Sequence, residues 1–118
     1  KLLVLFLLSS FFSFSQEKIT VIDFLSGDYP IGENVKILYD KDWKPVNEID
    51  SADFYREITF KEKNIPQGRI TDYYISGIKQ NIFYASFVGL NSKGVDSVFK
   101  EGQIRYFYEN GKISMSEN

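Results

Sequence analysis

The clearest pattern in the chain is alternation of side-chain type with a period of two. Phe54, Arg56, Ile58 and Phe60 interleave with Tyr55, Glu57 and Thr59. Side chains on a strand point alternately to its two faces, so a strand separates these sets where a helix cannot. Residues 18–24 repeat the pattern, with Ile19, Val21 and Asp23 set against Thr20, Ile22 and Phe24, and VKILYD (residues 35–40) predicts a further strand. Gly27, Pro30 and Gly32 punctuate the turn-rich stretch between them. DKDWKPV (residues 40–46) turns the chain again, because Asp40 and Asp42 favour turns and Pro45 has no N–H to give to a ladder. Only NEIDSAD, residues 47–53, leaves room for a short helical turn.

Further along, the chain repeats itself. GRITDYYISG (residues 68–77) returns as GQIRYFYENG (residues 102–111), with Gly, Ile, Tyr and Gly at matching places. In the first copy Ile70, Asp72 and Tyr74 share one strand face opposite Thr71 and Tyr73; in the second, Ile104, Tyr106 and Tyr108 oppose Arg105 and Phe107. Both copies run into a turn. Asn110–Gly111 is the strongest short hairpin signal, since both residues tolerate positive φ, and Ser76–Gly77 does the same work less well. NIFYASFV (residues 81–88) is a full strand after the first turn, whereas only KISMSEN follows Gly111. Repeat units bury their apolar faces against neighbours, and roughly three are needed for stability. Two units therefore predict either that the preceding segment covers them as a cap or that the chain continues, and they predict marginal stability for the chain as given.

Composition adds a compartment. KLLVLFLLSSFFSFSQ places a positive charge, an apolar run and then small residues around Phe14 in the order of a secretory signal peptide, with the cut between Ser15 and Gln16. The apolar run is broken by serines before it reaches the roughly 20 residues of a membrane span. The expected organisation is a signal peptide over residues 1–15, an N-terminal β segment over 16–67 and two units over 68–118, the second truncated. An exported protein, periplasmic or extracellular, with no stable membrane insertion after cleavage follows from this. The chain has no cysteine, so burial and not disulfides must hold it. Its formal charge of −2, with Lys and Arg scattered among Asp and Glu, lacks the basic stripe that nucleic-acid binding draws on.

The two units resemble the MORN-repeat variant of exported bacterial proteins, many of them labelled antitoxin-like components. The match lies at Gly68, Tyr73, Tyr74 and Gly77 and again at Gly102, Phe107, Tyr108 and Gly111. YDKDWKPVNEIDSADFYREITF (residues 39–60) looks like the segment that leads into such repeats in exported Gram-negative proteins, some of which continue into a TonB-type energy-transducer domain. The resemblance implies an all-β, antiparallel hairpin array of MORN-like units with an N-terminal β segment, used for protein contacts and without catalytic residues. One departure stands out. FVGLNSKGVDSVFKEG (residues 87–102) lies between the units, making the interval longer than in a tandem array and breaking an even ribbon of rungs.

Chemistry is sparse. With neither His nor Cys, the common general base and the usual transition-metal ligands are missing, and Ser–His or Cys–His hydrolases are excluded. Two Ser-x-x-Lys strings, Ser76 with Lys79 and Ser97 with Lys100, fall in a turn and a strand, where residues three apart point to opposite faces. Asp40 and Asp42 lack the further oxygen ligands and the Gly of a calcium loop. Asp50 and Asp53 would need an enclosed cleft to act as an acid pair. No enzyme, cofactor or metal is expected, and the partner is an unidentified protein. The tyrosine-rich half offers the surface: Tyr73, Phe107 and Arg105 form the expected interaction face, with Arg56 also stacking on an exposed tyrosine ladder. The alternative, the periplasmic leader region of a longer TonB-type transducer or transport-associated protein, stays open.

Overall fold

A computed structural model of the chain describes residues 30–117. The expected signal peptide and the strand at 18–24 lie outside the described residues. Within them the protein is all-β and antiparallel, a sheet of eight strands joined by hairpins. In chain order these are β1 (Asn34–Tyr39), β2 (Pro45–Val46), β3 (Phe54–Glu62), β4 (Ile65–Pro66), β5 (Ile70–Tyr74), β6 (Lys79–Leu90), β7 (Asp96–Phe107) and β8 (Ile113–Glu117). Their order across the sheet is β2-β1-β3-β5-β6-β7-β8, with β4 paired to β3. The short helical turn is a 3-10 turn at Ile49–Ser51. Among the described residues no helix is long and apolar enough to cross a membrane. Across the boundary expected near residue 67 the sheet is continuous, since Phe54 and Tyr55 of β3 pair with Tyr74 and Tyr73 of β5.

Alternation places the core. Val35, Ile37 and Tyr39 of β1, Ile58 and Phe60 of β3, Ile70 of β5 and Phe83 of β6 are buried on one face, here called the inner face. Burial of such side chains contributes about 1.5–3 kcal/mol each. What covers them is the segment between the two units. Strands β6 and β7 are long, and β-bulges between Ile82 and Tyr84 and between Ala85 and Phe87 interrupt their pairing. A bulge adds a residue to one strand and bends it, so the far half of this hairpin folds back as an arm across the inner face. Val88 on the arm is fully buried in the core. Its N–H donates to the Asn64 carbonyl (3.0 Å), while the Asp96 N–H donates to the Trp43 carbonyl (2.9 Å). Residues 87–102, expected to interrupt a ribbon, close the core instead.

Four hairpins share one loop. At Asp40–Trp43, Tyr74–Gly77, Asn91–Gly94 and Tyr108–Gly111 the first residue's carbonyl accepts the N–H three residues on, at 2.8–3.0 Å. The first residue's own N–H donates to the carbonyl four residues on. This is the three-residue loop that ends in a left-handed residue, and the closing φ values are 60° at Trp43, 97° at Gly77, 77° at Gly94 and 86° at Gly111. Trp43, Gly77 and Gly111 are equally spaced in the chain and close the C-terminal ends of β1, β5 and β7, which run in the same direction. The first of these was hidden from comparison of residues because a tryptophan closes it. A left-handed non-glycine residue costs roughly 1–3 kcal/mol. Trp43 offsets this by stacking on Phe54 (centroids 4.4 Å, planes 6° apart), and Asp40 Oδ1 braces the turn by accepting the N–H of Asp42 (2.9 Å) and of Lys44 (3.0 Å).

Candidate functional site

At the centre of the inner face lies an ion cluster built by register. Arg56 of β3 stands directly opposite Asp72 of β5, and both are 1% exposed. Arg56 Nε donates to Asp72 Oδ1 (2.6 Å) and Nη2 to Oδ2 (3.0 Å). From the arm, Asp96 accepts Nη1 on Oδ1 (2.8 Å) and Nη2 on Oδ2 (2.9 Å), and the Tyr39 hydroxyl accepts a further bond from Nη1 (3.2 Å). These five bonds match the five N–H groups a guanidinium carries. The rings of Tyr39, Phe83 and Trp43 surround the cation at 5.0, 5.4 and 5.7 Å. Arg56 therefore clamps the arm to the sheet. This corrects the expectation that it stacks on an exposed tyrosine ladder: it shares strand parity with Ile58 and Phe60, and that parity carries it into the core.

Burial shapes the titration of this cluster. It works to lower Arg56, but Asp72, Tyr39 and Asp96 outweigh it and hold the guanidinium well above its ordinary value. Burial pushes Asp72 up against the opposing charge and hydrogen bonds of Arg56. Tyr39 is driven far above the ordinary tyrosine value by burial, with Arg56 pulling the other way. A phenol whose folded pKa is raised contributes stability that is complete below the unfolded pKa and is lost as pH rises through the folded one. Stability should therefore hold to about pH 10, where an unfolded tyrosine begins to ionise, and fall above it. Tyr39→Phe should flatten that alkaline fall while costing about 1 kcal/mol at neutral pH through the lost hydrogen bond. Denaturant midpoints measured across alkaline pH check both effects.

Beside the cluster the inner face opens into a depression of about 340 Å³, lined by Asp42, Trp43, Arg56, Asp72, Gln80, Asn81, Val95, Asp96, Lys100 and Tyr106. Register explains how two neighbouring residues reach it together. Asn81 pairs with Asp72 and Lys79 with Tyr73, so Gln80 is the additional residue of a bulge. Lys100 Nζ lies 3.3 Å from the Tyr106 hydroxyl and 4.6 Å from the Phe83 ring centre. The sequence showed no cleft; Gln80 and Asn81 carried no signal as site residues, and Lys100 stood out only in a Ser-x-x-Lys string with the wrong geometry for catalysis. The only signals were parity, which puts Asp72 beside Arg56, and the bulge, which no residue pattern announced.

The residues expected to form an interaction face lie elsewhere. Thr71, Ile82 and Arg105 form one cross-strand row, and Tyr73 and Phe107 are two residues further along their strands on the same, outer side. Tyr73 stacks on Tyr55 (4.7 Å, 12°), and the Lys36 ammonium lies 5.3 Å from the Tyr55 ring centre. Burial, then Glu57 and Tyr55, raise the Tyr73 pKa against Arg69 and Lys36, so these charges surround the stack. Arg105 is exposed and Phe107 half-buried. Tyr74 points inward toward Phe54 (6.0 Å), and its hydroxyl donates to the Phe107 carbonyl (2.7 Å), tying β5 to β7. Tyr108 is exposed at its turn. Gly68 and Gly102 adopt φ of 78° and 68°, so both glycines of each unit are left-handed. Comparison of the chain with family models, with curated proteins and with solved structures returns no match.

Proposed function

We propose that this chain is an exported, non-enzymatic β-repeat protein of the MORN-variant kind that acts by protein contact, in the manner of an antitoxin or immunity component. The observation that carries this is the outer-side arrangement of the Tyr55–Tyr73 stack beside Lys36 and Arg69, continued by Arg105 and Phe107 on β7. Stacked tyrosines give a large contact area at low entropic cost, with hydroxyl tips that bond to a partner. Lys36, Arg69 and Arg105 outnumber Glu57 there, which favours a protein surface rich in carboxylates and gives the contact a salt dependence. The matching left-handed closures at Gly77 and Gly111 support two equivalent units.

The test is affinity capture from the native organism with the full chain as bait. One protein should be retained at low salt and released at high salt. It should be lost with Tyr73→Ser combined with Phe107→Ser, and also with Arg105→Glu, while circular dichroism stays unchanged. Equal retention by wild type and both variants overturns the placement of the face.

A further inference from the structure

We propose that the depression beside the Arg56 cluster is a binding site for a neutral, hydroxyl-rich ligand, a single sugar residue or short polyol. It lies on the inner side of the sheet and is independent of the protein-contact face. Two amide oxygens carry the inference. Asn81 Oδ1 and Gln80 Oε1 are buried and have no hydrogen-bond partner among the described residues, although Asn81 is only 3% exposed. A buried acceptor left unpaired lowers stability, and consecutive strand residues normally face opposite sides. Here a bulge puts both into one depression, and bulges near functional sites re-aim side chains in this way.

The charges select the ligand. Every N–H of Arg56 is already engaged by Asp72, Asp96 and Tyr39, so no guanidinium donor remains for an anion. An anion would also face Asp42, Asp72 and Asp96, and a cation would face Lys100. A hydroxyl meets both demands, donating to the amide oxygens and accepting from the Lys100 ammonium. It also suits either end of a side-chain amide. The rings of Trp43 and Tyr106 contribute apolar wall. A volume of about 340 Å³ is near the lower end of the roughly 300–1,000 Å³ range of small-molecule sites, which suits one ring and not a chain of them.

The experiment is an NMR titration of the isotope-labelled full chain with free hexoses, N-acetylhexosamines and straight-chain polyols, using inorganic phosphate and a diamine as comparison probes. Saturable shifts of the Gln80, Asn81 and Lys100 amides with a neutral polyol are expected, and none with phosphate or diamine. Asn81→Leu should abolish the shifts and raise the thermal midpoint of the ligand-free protein, since it removes an unpaired acceptor. Gln80→Leu, at the additional residue of the bulge, should abolish them with the fold intact. Non-saturating shifts, saturation only with phosphate or diamine, or an Asn81→Leu protein that is less stable and still binds would each overturn the proposal.

Discussion

Replacement of Arg56 by leucine is expected to destabilise the fold by about 3–5 kcal/mol, the usual cost of breaking a buried ion pair from one side. A domain of this size is held by about 5–15 kcal/mol in total, so much of the population would unfold under mild denaturant. The cost arises less from lost attraction than from what remains. Asp72, 1% exposed, would lose the group that opposes its burial and would take up a proton, while Asp96 would release the arm. Urea titrations of Arg56→Leu should show a much lower midpoint, and the loss should shrink at acid pH, where protonation relieves the buried Asp72 carboxylate. A combined Arg56→Met, Asp72→Leu, Asp96→Leu variant should recover most of the stability, because apolar side chains of similar volume replace a buried ion cluster at little cost. An Arg56→Leu protein as stable as the wild type would remove the cluster from any role in holding the arm.

The arm itself supplies the second large effect. Val88 is fully buried although it belongs to the segment between the two units. Val88→Asp would place a carboxylate in the apolar core beside Ile58, Phe60 and Phe83, at an expected cost of about 3–5 kcal/mol. Phe99→Asp, on the same hairpin but 62% exposed, should change stability by no more than about 0.5 kcal/mol. Hydrogen exchange on the two variants separates the cases. Val88→Asp should deprotect the Val88 and Asp96 amides, whose partners are the Asn64 and Trp43 carbonyls, and Phe99→Asp should leave them protected. Similar behaviour of the two variants would show that the hairpin does not close the core.

Alternation alone was enough to find β1, β3 and β5, because a strand with one buried face must repeat its side-chain character every second residue. It also held the answer for Arg56. The residue sits in phase with Ile58 and Phe60, and Asp72 in phase with Ile70, yet charge argued for the surface and prevailed over phase. The third turn at Trp43 was obscured in a different way. Glycine is the ordinary mark of a left-handed closure, and here packing on Phe54 lets a tryptophan hold that conformation.

What the chain determined by itself was local: all-β architecture, the hairpin turns at Gly77 and Gly111, and the outer position of Tyr73, Arg105 and Phe107. These follow from side-chain period and backbone freedom, which act over a few residues. Tertiary structure decided that residues 87–102 fold over the sheet, that Asp96 joins Asp72 on one arginine, and that Gln80 and Asn81 look into a common depression. Those outcomes depend on bulges and on contacts between residues far apart in the chain. Their energies come from burial and charge pairing that exist only once the arm has closed.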